Sequence, residues 1–139
     1  MEEIRLKCRC LSKGKAAGEA IVAEKPISFL SAIDPKTGFV IEEGHELKGK
    51  CVRGKILIFP HGKGSTGASW SIYQMGVLGT GPAAMIAVES EPIDAVGAIM
   101  GNIPFVDSLE LSPLDIIQTG DYVSVDADEG IVKVTRIRK

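Results

Sequence analysis

The sequence has few aromatic residues, few histidines and no excess of positive charge. Aromatic residues make up 5% of the 139 residues, so the core must be built mainly from aliphatic side chains. The formal net charge is −2, and a chain without a basic field is not typical of nucleic-acid-binding proteins. With 45% hydrophobic and 24% charged residues, the composition excludes a disordered or fibrous chain and indicates a globular domain.

Long apolar runs are missing as well. No run approaches the roughly 18 residues that a membrane span needs, and the first residues lack the apolar core of a signal peptide, so we expect a cytoplasmic protein. The three cysteines, Cys8, Cys10 and Cys51, are an odd number and predict no disulfide framework. Cys8 and Cys10 alternate with charged residues, so we expect them on the apolar face of a strand as small hydrophobes, not as metal ligands.

Glycine and proline, in contrast, are plentiful. Sixteen glycines and seven prolines predict strands, turns and shaped loops, not a helical bundle. A helix follows Thr66, where Trp70, Tyr73, Val77 and Leu78 recur at helical spacing. A second short helix is predicted at 94–100. Strands are predicted at 4–10, 18–23, 39–41, 55–59, 83–88 and 103–106, the last near a sheet edge because of Pro104, and a hairpin at 122–126 and 131–137. This pattern favours a mixed α/β domain with a barrel-like β layer and one strand–helix–strand unit.

The segment from residue 59 to residue 69 is the most informative part of the chain. Gly62, Gly64 and Gly67 lie between a predicted buried strand and a predicted helix. Such a loop can direct several backbone amides towards an anion, and the helix N-terminus adds positive potential. Lys63 adds a cation, and Ser65, Thr66 and Ser69 add hydroxyl groups. The structural alternative is a tight turn in which Ser65 or Thr66 caps the helix.

Two further interpretations concern the same segment. Gly62-x-Gly64-x-x-Gly67 satisfies the dinucleotide-binding spacing, and Glu89 follows at the distance expected for a ribose contact. Only one strand–helix–strand unit is visible, however, which does not build a doubly wound sheet. His61 borders the glycines and could contact a substrate, although a lone histidine in a loop is usually just exposed.

Several segments resemble one known family in their order and spacing. The first half contributes Glu24–Leu30, Asp34–Gly38 and Gly54–Pro60, the last running into Gly62–Ser65. The second half contributes Glu91–Ile93, Gly97–Ile99, Ile103–Asp107 and Gly120–Val123. Together they cover nearly the whole chain and resemble the aconitase X swivel domain family.

The resemblance implies a swivelling β/β/α fold that occupies residues 1–139 as a single domain. It implies a hydro-lyase made of two chains, in which the large subunit, and not this chain, carries a [4Fe-4S] cluster whose open iron binds the substrate hydroxyl. The implied reaction removes water from (R)-5-phosphomevalonate and gives trans-anhydromevalonate 5-phosphate, a step in an archaeal mevalonate route to isoprenoids. No nucleic acid and no membrane are expected as partners.

The resemblance also implies a catalytic residue. The serine of the family falls on Ser65, with the role of general base for the proton next to the substrate carboxylate. We expect the loop around it, Gly62, Lys63, Gly64, Thr66 and Gly67, to bind the substrate. Two alternatives stay open: a related hydro-lyase acting on another hydroxy acid, such as hydroxyproline, and a non-catalytic module that binds an anion or a nucleotide.

Overall fold

One curled sheet and three helices make up the part of the chain that the structure describes. The computed structural model describes residues 2–63 and 66–136. The strands are β1 (Glu2–Lys7), β2 (Arg9–Ser12), β3 (Lys15–Val22), β4 (Ile56–Phe59), β5 (Ala84–Ala87), β6 (Phe105–Asp107), β7 (Tyr122–Asp126) and β8 (Ile131–Arg136). The helices are α1 (Thr66–Leu78), α2 (Pro92–Gly101) and α3 (Pro113–Ile116). The mixed α/β class predicted from the sequence is confirmed.

The sheet curls because its two end strands are neighbours along the chain. Its spatial order is β1-β8-β7-β3-β4-β5-β6-β2. β1 and β2 are separated only by Cys8, so one nearly continuous segment pairs with β8 at one end and with β6 at the other. β3 makes a similar change of partner, because 15–19 pair antiparallel with β7 and 20–22 pair parallel with β4. The barrel-like layer is therefore confirmed.

The parallel strands β4 and β5 are buried on both faces, as expected when helices cover a parallel sheet. Side chains alternate between two cores: Ile56 and Ile58 point into the curled sheet, whereas Leu57 and Phe59 point towards the helices. The few aromatic residues are concentrated on the helix side, where the rings of Phe29 and Phe59 meet edge to face with centroids 5.3 Å apart. The aliphatic core expected from composition therefore has an aromatic centre on that side.

The segment between β3 and β4 packs on the helix-side core without forming regular strands. Ile27, Ile33, Val40 and Val52 are buried there. The strand predicted at 39–41 is wrong, because Phe39 and Val40 make only isolated bridges, with Cys51 and Ile33. Pairing of single residues suffices because apolar side chains, and not a ladder, anchor this segment.

Glycines let α1 and α2 pack closely. A Cβ at Gly97 would lie 2.8 Å from the Ser69 carbonyl oxygen, and one at Gly76 would lie 2.6 Å from Gly101 Cα. Such distances leave no room for larger residues on the facing sides of the two helices. Among the residues described, no helix combines the length and apolar character that crossing a membrane requires.

One sequence prediction on these strands is confirmed and one needs correction. β6 lies next to the end strand β2, near an edge of the sheet as predicted, and Pro104 is tolerated because it precedes the strand. Cys10 is exposed, although Cys8 packs against the inner core as expected. The alternation fails at Cys10 because the strand changes its partner after Cys8 and its register shifts between Cys10 and Ser12.

The helix predicted after Thr66 is present, but the side chains that revealed it face outwards. Ala68, Ile72 and Met75 are its buried apolar residues, whereas Trp70 is 58% exposed and Val77 is 64% exposed. The large side chains dominate the periodicity of the sequence, yet the smaller ones on the opposite side fit against the sheet. The solvent side of α1 is therefore apolar.

Candidate functional site

The candidate site lies at the carboxyl ends of the parallel strands, where open α/β sheets bind their ligands. β4 continues into residues 60–63, and β5 continues into 88–91. The two segments are tied together because the amides of Val88 and Glu89 donate to the Pro60 carbonyl oxygen at 3.1 and 3.2 Å. His61, Glu89, Ser90, Glu91 and Pro92 line a shallow cleft between them.

Residues 61–63 are held on one side by the segment that follows β3. Gly62 forms a bridge with Ile27. The Ile27 amide donates to the His61 carbonyl oxygen at 3.2 Å, and the Lys63 amide donates to the Ile27 carbonyl oxygen at 3.0 Å. The Lys63 amide is thus already used, so contact between Lys63 and a ligand has to come from its side chain.

Asp94, on α2, holds the same residues from the buried side. A Cβ at Gly62 would lie 2.8 Å from Asp94 Cγ, so only glycine fits beside this carboxyl group. Asp94 itself is fully buried. Burial raises the pKa of Asp94 to about 6; the charge of Glu91 adds to the rise, and His61 acts in the opposite direction.

The predicted site residues fall partly outside the described chain. Gly64 and Ser65 lie outside the described residues, and of Thr66 only the backbone, at the start of α1, is described. Gly67, in the first turn of α1, is approached by the side chain of Leu30. Of the predicted site residues, the structure therefore places Gly62, Lys63 and Gly67 at the carboxyl edge of the parallel strands.

Ser69 has a structural role instead of a place in an anion cradle. Its hydroxyl donates to the Ile93 carbonyl oxygen at 2.5 Å. This bond joins α1 to the first turn of α2, next to Asp94. His61 is exposed, and its Nδ1 donates to the Gly62 carbonyl oxygen at 2.7 Å, which leaves Nε2 facing away from that bond.

Asp107, at the end of β6, is a second buried carboxyl group at this edge of the sheet. Both of its carboxylate oxygens accept hydrogen bonds from Arg9 at 2.8 Å, and one also accepts from the Ser90 amide at 2.8 Å. Burial on its own would raise the pKa of Asp107, but the bonds from Arg9 and Ser90 outweigh it and the pKa lies below its ordinary value. Asp107 thereby fixes the segment 88–91 that lines the cleft.

The described residues do not fit an iron–sulfur cluster. They contain no group of three or more histidine, cysteine, aspartate or glutamate residues that could hold a metal ion. Burial raises the pKa of the Cys8 thiol to about 11, with Cys10, Asp107 and Asp126 adding to the rise. A raised pKa disfavours the thiolate, which is the form that binds iron.

Sequence reasoning missed Asp94 and Asp107. The available signal for Asp94 was that it is the only charged residue in the sequences of α1 and α2. Asp107 carried no such signal, because its partner Arg9 is distant in sequence and only the curl of the sheet brings the two together.

Comparison with known proteins decides the family. The model of the aconitase X swivel domain matches residues 5–134 of the chain. The chain belongs to the aconitase X swivel domain family. Its fold agrees with the crystal structure of Thermococcus kodakaraensis aconitase X in its holo form, with a TM-score of 0.89, 44% sequence identity, and coverage of 96% of this chain and 99% of that one. The swivel fold implied by the sequence resemblance is thus confirmed.

Named relatives of this swivel domain are similar over nearly their whole length. The phosphomevalonate dehydratase small subunit of Methanosarcina acetivorans is 50% identical over 136 residues, which cover 98% of this chain and 94% of that protein. The protein of the same name from Methanococcoides burtonii is 49% identical over 134 residues, with 96% and 98% covered. The name "small subunit" implies that each of these relatives works with a larger chain.

Proposed function

We propose that this swivel domain is the small subunit of a phosphomevalonate dehydratase. The enzyme is a hydro-lyase that removes water from (R)-5-phosphomevalonate and gives trans-anhydromevalonate 5-phosphate, in a mevalonate route to isoprenoids. The observation that carries the proposal is the 50% identity to a relative of that name over 98% of the chain. The substrate carries a carboxylate and a phosphate and does not cross a bilayer unaided, so we place the complex in the cytoplasm.

A partner chain is supported by the outer face of α1 and α2. We define the apolar face as Trp70, Tyr73 and Val77 of α1 together with Val96 and Met100 of α2. Except for the half-buried Tyr73, each of these side chains is about half exposed or more. A helix on the surface of a lone domain normally has a polar outer side, whereas no charged side chain of α1 or α2 reaches solvent.

The apolar face starts next to the candidate site. α1 begins at Thr66, directly after the glycine-rich segment 62–65, which we call the glycine loop, and Trp70 follows one turn later. The ring of Trp70 lies against that of Tyr73, with centroids 5.4 Å apart. Exposed aromatic and aliphatic side chains of this kind are typical of protein interfaces. A large subunit seated here would at the same time cover residues 61–63 and the first turn of α1.

Within the complex, we propose Ser65 as the general base. A serine alkoxide would take the proton from the carbon next to the substrate carboxylate while hydroxide leaves the neighbouring carbon and the C=C bond forms. The serine hydroxyl would then return this proton to the departing hydroxide, which gives one water and restores the alkoxide. The exposed Lys63 and the N-terminus of α1 support this role because both stabilise negative charge near the loop. We propose Gly62, Lys63, Gly64, Thr66 and Gly67 as the substrate-binding residues around it.

We assign the [4Fe-4S] cluster to the large subunit. When bound, such a cluster supplies an open iron that acts as a Lewis acid on the leaving hydroxyl group. The cysteines of this chain are unsuited to hold it, since Cys8 and Cys10 share one strand segment and Cys51 lies beside Phe39. We expect the isolated chain to be colourless and inactive. Stoichiometric iron in the purified chain would contradict this assignment.

Reconstitution tests the proposal. The chain and its large subunit would be purified separately, combined without oxygen, and assayed with (R)-5-phosphomevalonate, with mevalonate lacking the phosphate, and with hydroxyproline. We expect dehydration of the first substrate only, and only when both chains are present. Preference for hydroxyproline would identify a different hydro-lyase of the family. Phosphate or nucleotide binding without turnover of any of the three would reject the catalytic function.

A further inference from the structure

Asp94 is a buried carboxyl group that the proposed mechanism does not use. It is 0% exposed, and neither of its carboxylate oxygens accepts a hydrogen bond from any residue that the structure describes. A buried ionisable group without a partner costs several kcal/mol when it is charged. Such a group calls for an explanation in the function of the site or in the fold.

Helix capping does not explain Asp94. As the third residue of α2, it occupies the position from which an acidic side chain commonly bonds back to the N-cap amide. Here the N-cap is Glu91, and the carboxyl group of Asp94 accepts no such bond from the described residues. The side chain is turned towards Gly62 instead.

Asp94 and Ile27 contact residues 61–63 from two sides. Ile27 bonds to the backbone of His61 and Lys63, and the carboxyl group of Asp94 fills the space where a side chain of Gly62 would lie. The two exposed side chains of this segment, those of His61 and Lys63, point to the opposite, solvent side. Residues 61–63 therefore separate the buried carboxyl group of Asp94 from the proposed position of the substrate.

Few other charges act on Asp94. Glu91 from the start of α2 disfavours its ionised form and His61 from the loop favours it, while α1, packed against α2, carries no charged side chain. An anionic substrate bound at the loop would add negative charge close to the carboxylate and would remove water from the solvent side. Both effects favour the protonated form.

We propose that Asp94 is a positioning residue of this site. It fixes the backbone conformation of residues 61–63 and takes up a proton when the anionic substrate binds in front of them. The proposal rests on the proposed function for the identity of the substrate. By linkage, substrate then binds less tightly as the pH rises and Asp94 of the free enzyme ionises.

Steady-state kinetics of the reconstituted complex between pH 5.5 and 8.5 tests this. Asp94→Asn keeps the shape of the side chain and removes its titration, and Asp121→Asn is the matched control, since Asp121 is a buried aspartate that accepts from the Gln118 amide in a turn before β7. For the unmodified complex and the control, we expect KM to rise by up to about tenfold per pH unit above pH 6–7. For Asp94→Asn, we expect KM to change with pH only as far as the titration of the substrate phosphate changes it, and that contribution is the same for all variants.

A second measurement does not depend on turnover. In the isolated full chain, the side-chain carboxyl carbon of Asp94 would be followed by NMR through the same pH range, together with the amides of residues 61–63. We expect part of the shift of those amides to follow the titration of the Asp94 carboxyl carbon, and that part to be absent in Asp94→Asn.

The outcomes are separable. If the complex does not dehydrate 5-phosphomevalonate, the proposed function fails, and the NMR titration alone decides whether Asp94 controls residues 61–63. If the complex is active but Asp94→Asn keeps the same dependence of KM on pH, the inference is wrong. Loss of activity in Asp94→Asn with an unchanged pH profile would indicate a structural role and would equally overturn it.

Discussion

The antiparallel and the parallel halves of the sheet have different outer surfaces. Buried residues alternate with exposed or partly exposed ones along β7 and along β8 as far as Thr135, and the outer side carries charged side chains such as Lys133 and Asp126. β4 and β5 are buried throughout, and the helices that cover them present the apolar face to solvent. The antiparallel half has the charged surface typical of a protein in water, whereas the apolar face of the parallel half is where we propose that the large subunit docks.

The buried carboxyl groups differ from one another in their hydrogen bonds. In the turn before β7, Asp121 accepts a backbone amide. At the carboxyl edge of the parallel strands, Asp107 accepts bonds from Arg9 and Ser90, but Asp94 accepts none from the described residues. Asp94 is thus unsatisfied beside a satisfied carboxyl group at the same edge, and groups that break a rule of folding in this way are expected at functional positions.

The largest effect is expected from Ser65→Ala. If Ser65 is the base, the dehydration rate of the reconstituted complex should fall by a factor on the order of 10² to 10⁴, the usual share of general-base catalysis. The melting temperature should change little, because a hydroxyl group in a loop contributes at most a cap of about 1 kcal/mol.

Ser69→Ala is the matched control for Ser65→Ala. Its hydroxyl group is bonded to the Ile93 carbonyl oxygen, so its loss should lower stability by about 1 kcal/mol and leave the rate per folded enzyme nearly unchanged. A Ser65→Ala complex that keeps more than roughly a tenth of the rate would reject Ser65 as the base.

Asp94→Asn should stabilise the isolated chain. Because the pKa of Asp94 is raised from 3.8 to about 6 in the folded state, the folded protein loses stability as the pH rises through this interval. The variant should therefore match the parent at pH 4 and exceed its free energy of unfolding by about 2–3 kcal/mol above pH 6. Urea unfolding at pH 4 and pH 7 measures the difference. If Asp94→Asn instead lowered the free energy of unfolding equally at pH 4 and pH 7, the carboxyl group would have a hydrogen-bond partner in the folded state.

Sequence reasoning succeeded where local chemistry decides the structure. The hairpin of β7 and β8 follows from alternation and from the turn at 127–130, and the parallel strands follow from short apolar runs. It failed where distant residues decide. Which side of α1 is buried depends on the fit of Ala68 and Ile72 to the sheet, and both sides of that helix are apolar in sequence.

The candidate site was predictable in part for the same reason. The glycine loop is a local pattern, so its place between β4 and α1 could be read directly from the sequence. Asp94 could not be placed, because its contact with Gly62 depends on how α2 packs beside the loop. The roles of Ser65 and of its neighbours stay predictions.

Trp70→Glu should weaken binding to the large subunit. A charge on the apolar face loses aromatic contact and is desolvated in the complex, so the Kd should rise by about 10- to 100-fold. Tyr122→Glu is the control from the other half: Tyr122 is 48% exposed on β7, and its replacement should leave the Kd unchanged. Calorimetric titration with the large subunit measures both. If Tyr122→Glu weakens binding more than Trp70→Glu, the partner docks on the antiparallel half and the comparison is reversed.

The smallest effect is expected from Lys133→Glu on the antiparallel half. Lys133 lies opposite Arg5 on β1, and two like charges at paired positions are mildly unfavourable. Reversing one of them relieves this repulsion, but Asp126 and Glu129 also border the same outer surface and oppose the gain. The two contributions are screened by water and salt, so the free energy of unfolding should change by less than about 0.5 kcal/mol.

Because this face already carries charges of both signs in water, the Kd for the large subunit and the dehydration rate should stay the same. A loss of binding on Lys133→Glu, measured beside Trp70→Glu in one titration series, would show that the charged half also contacts the partner.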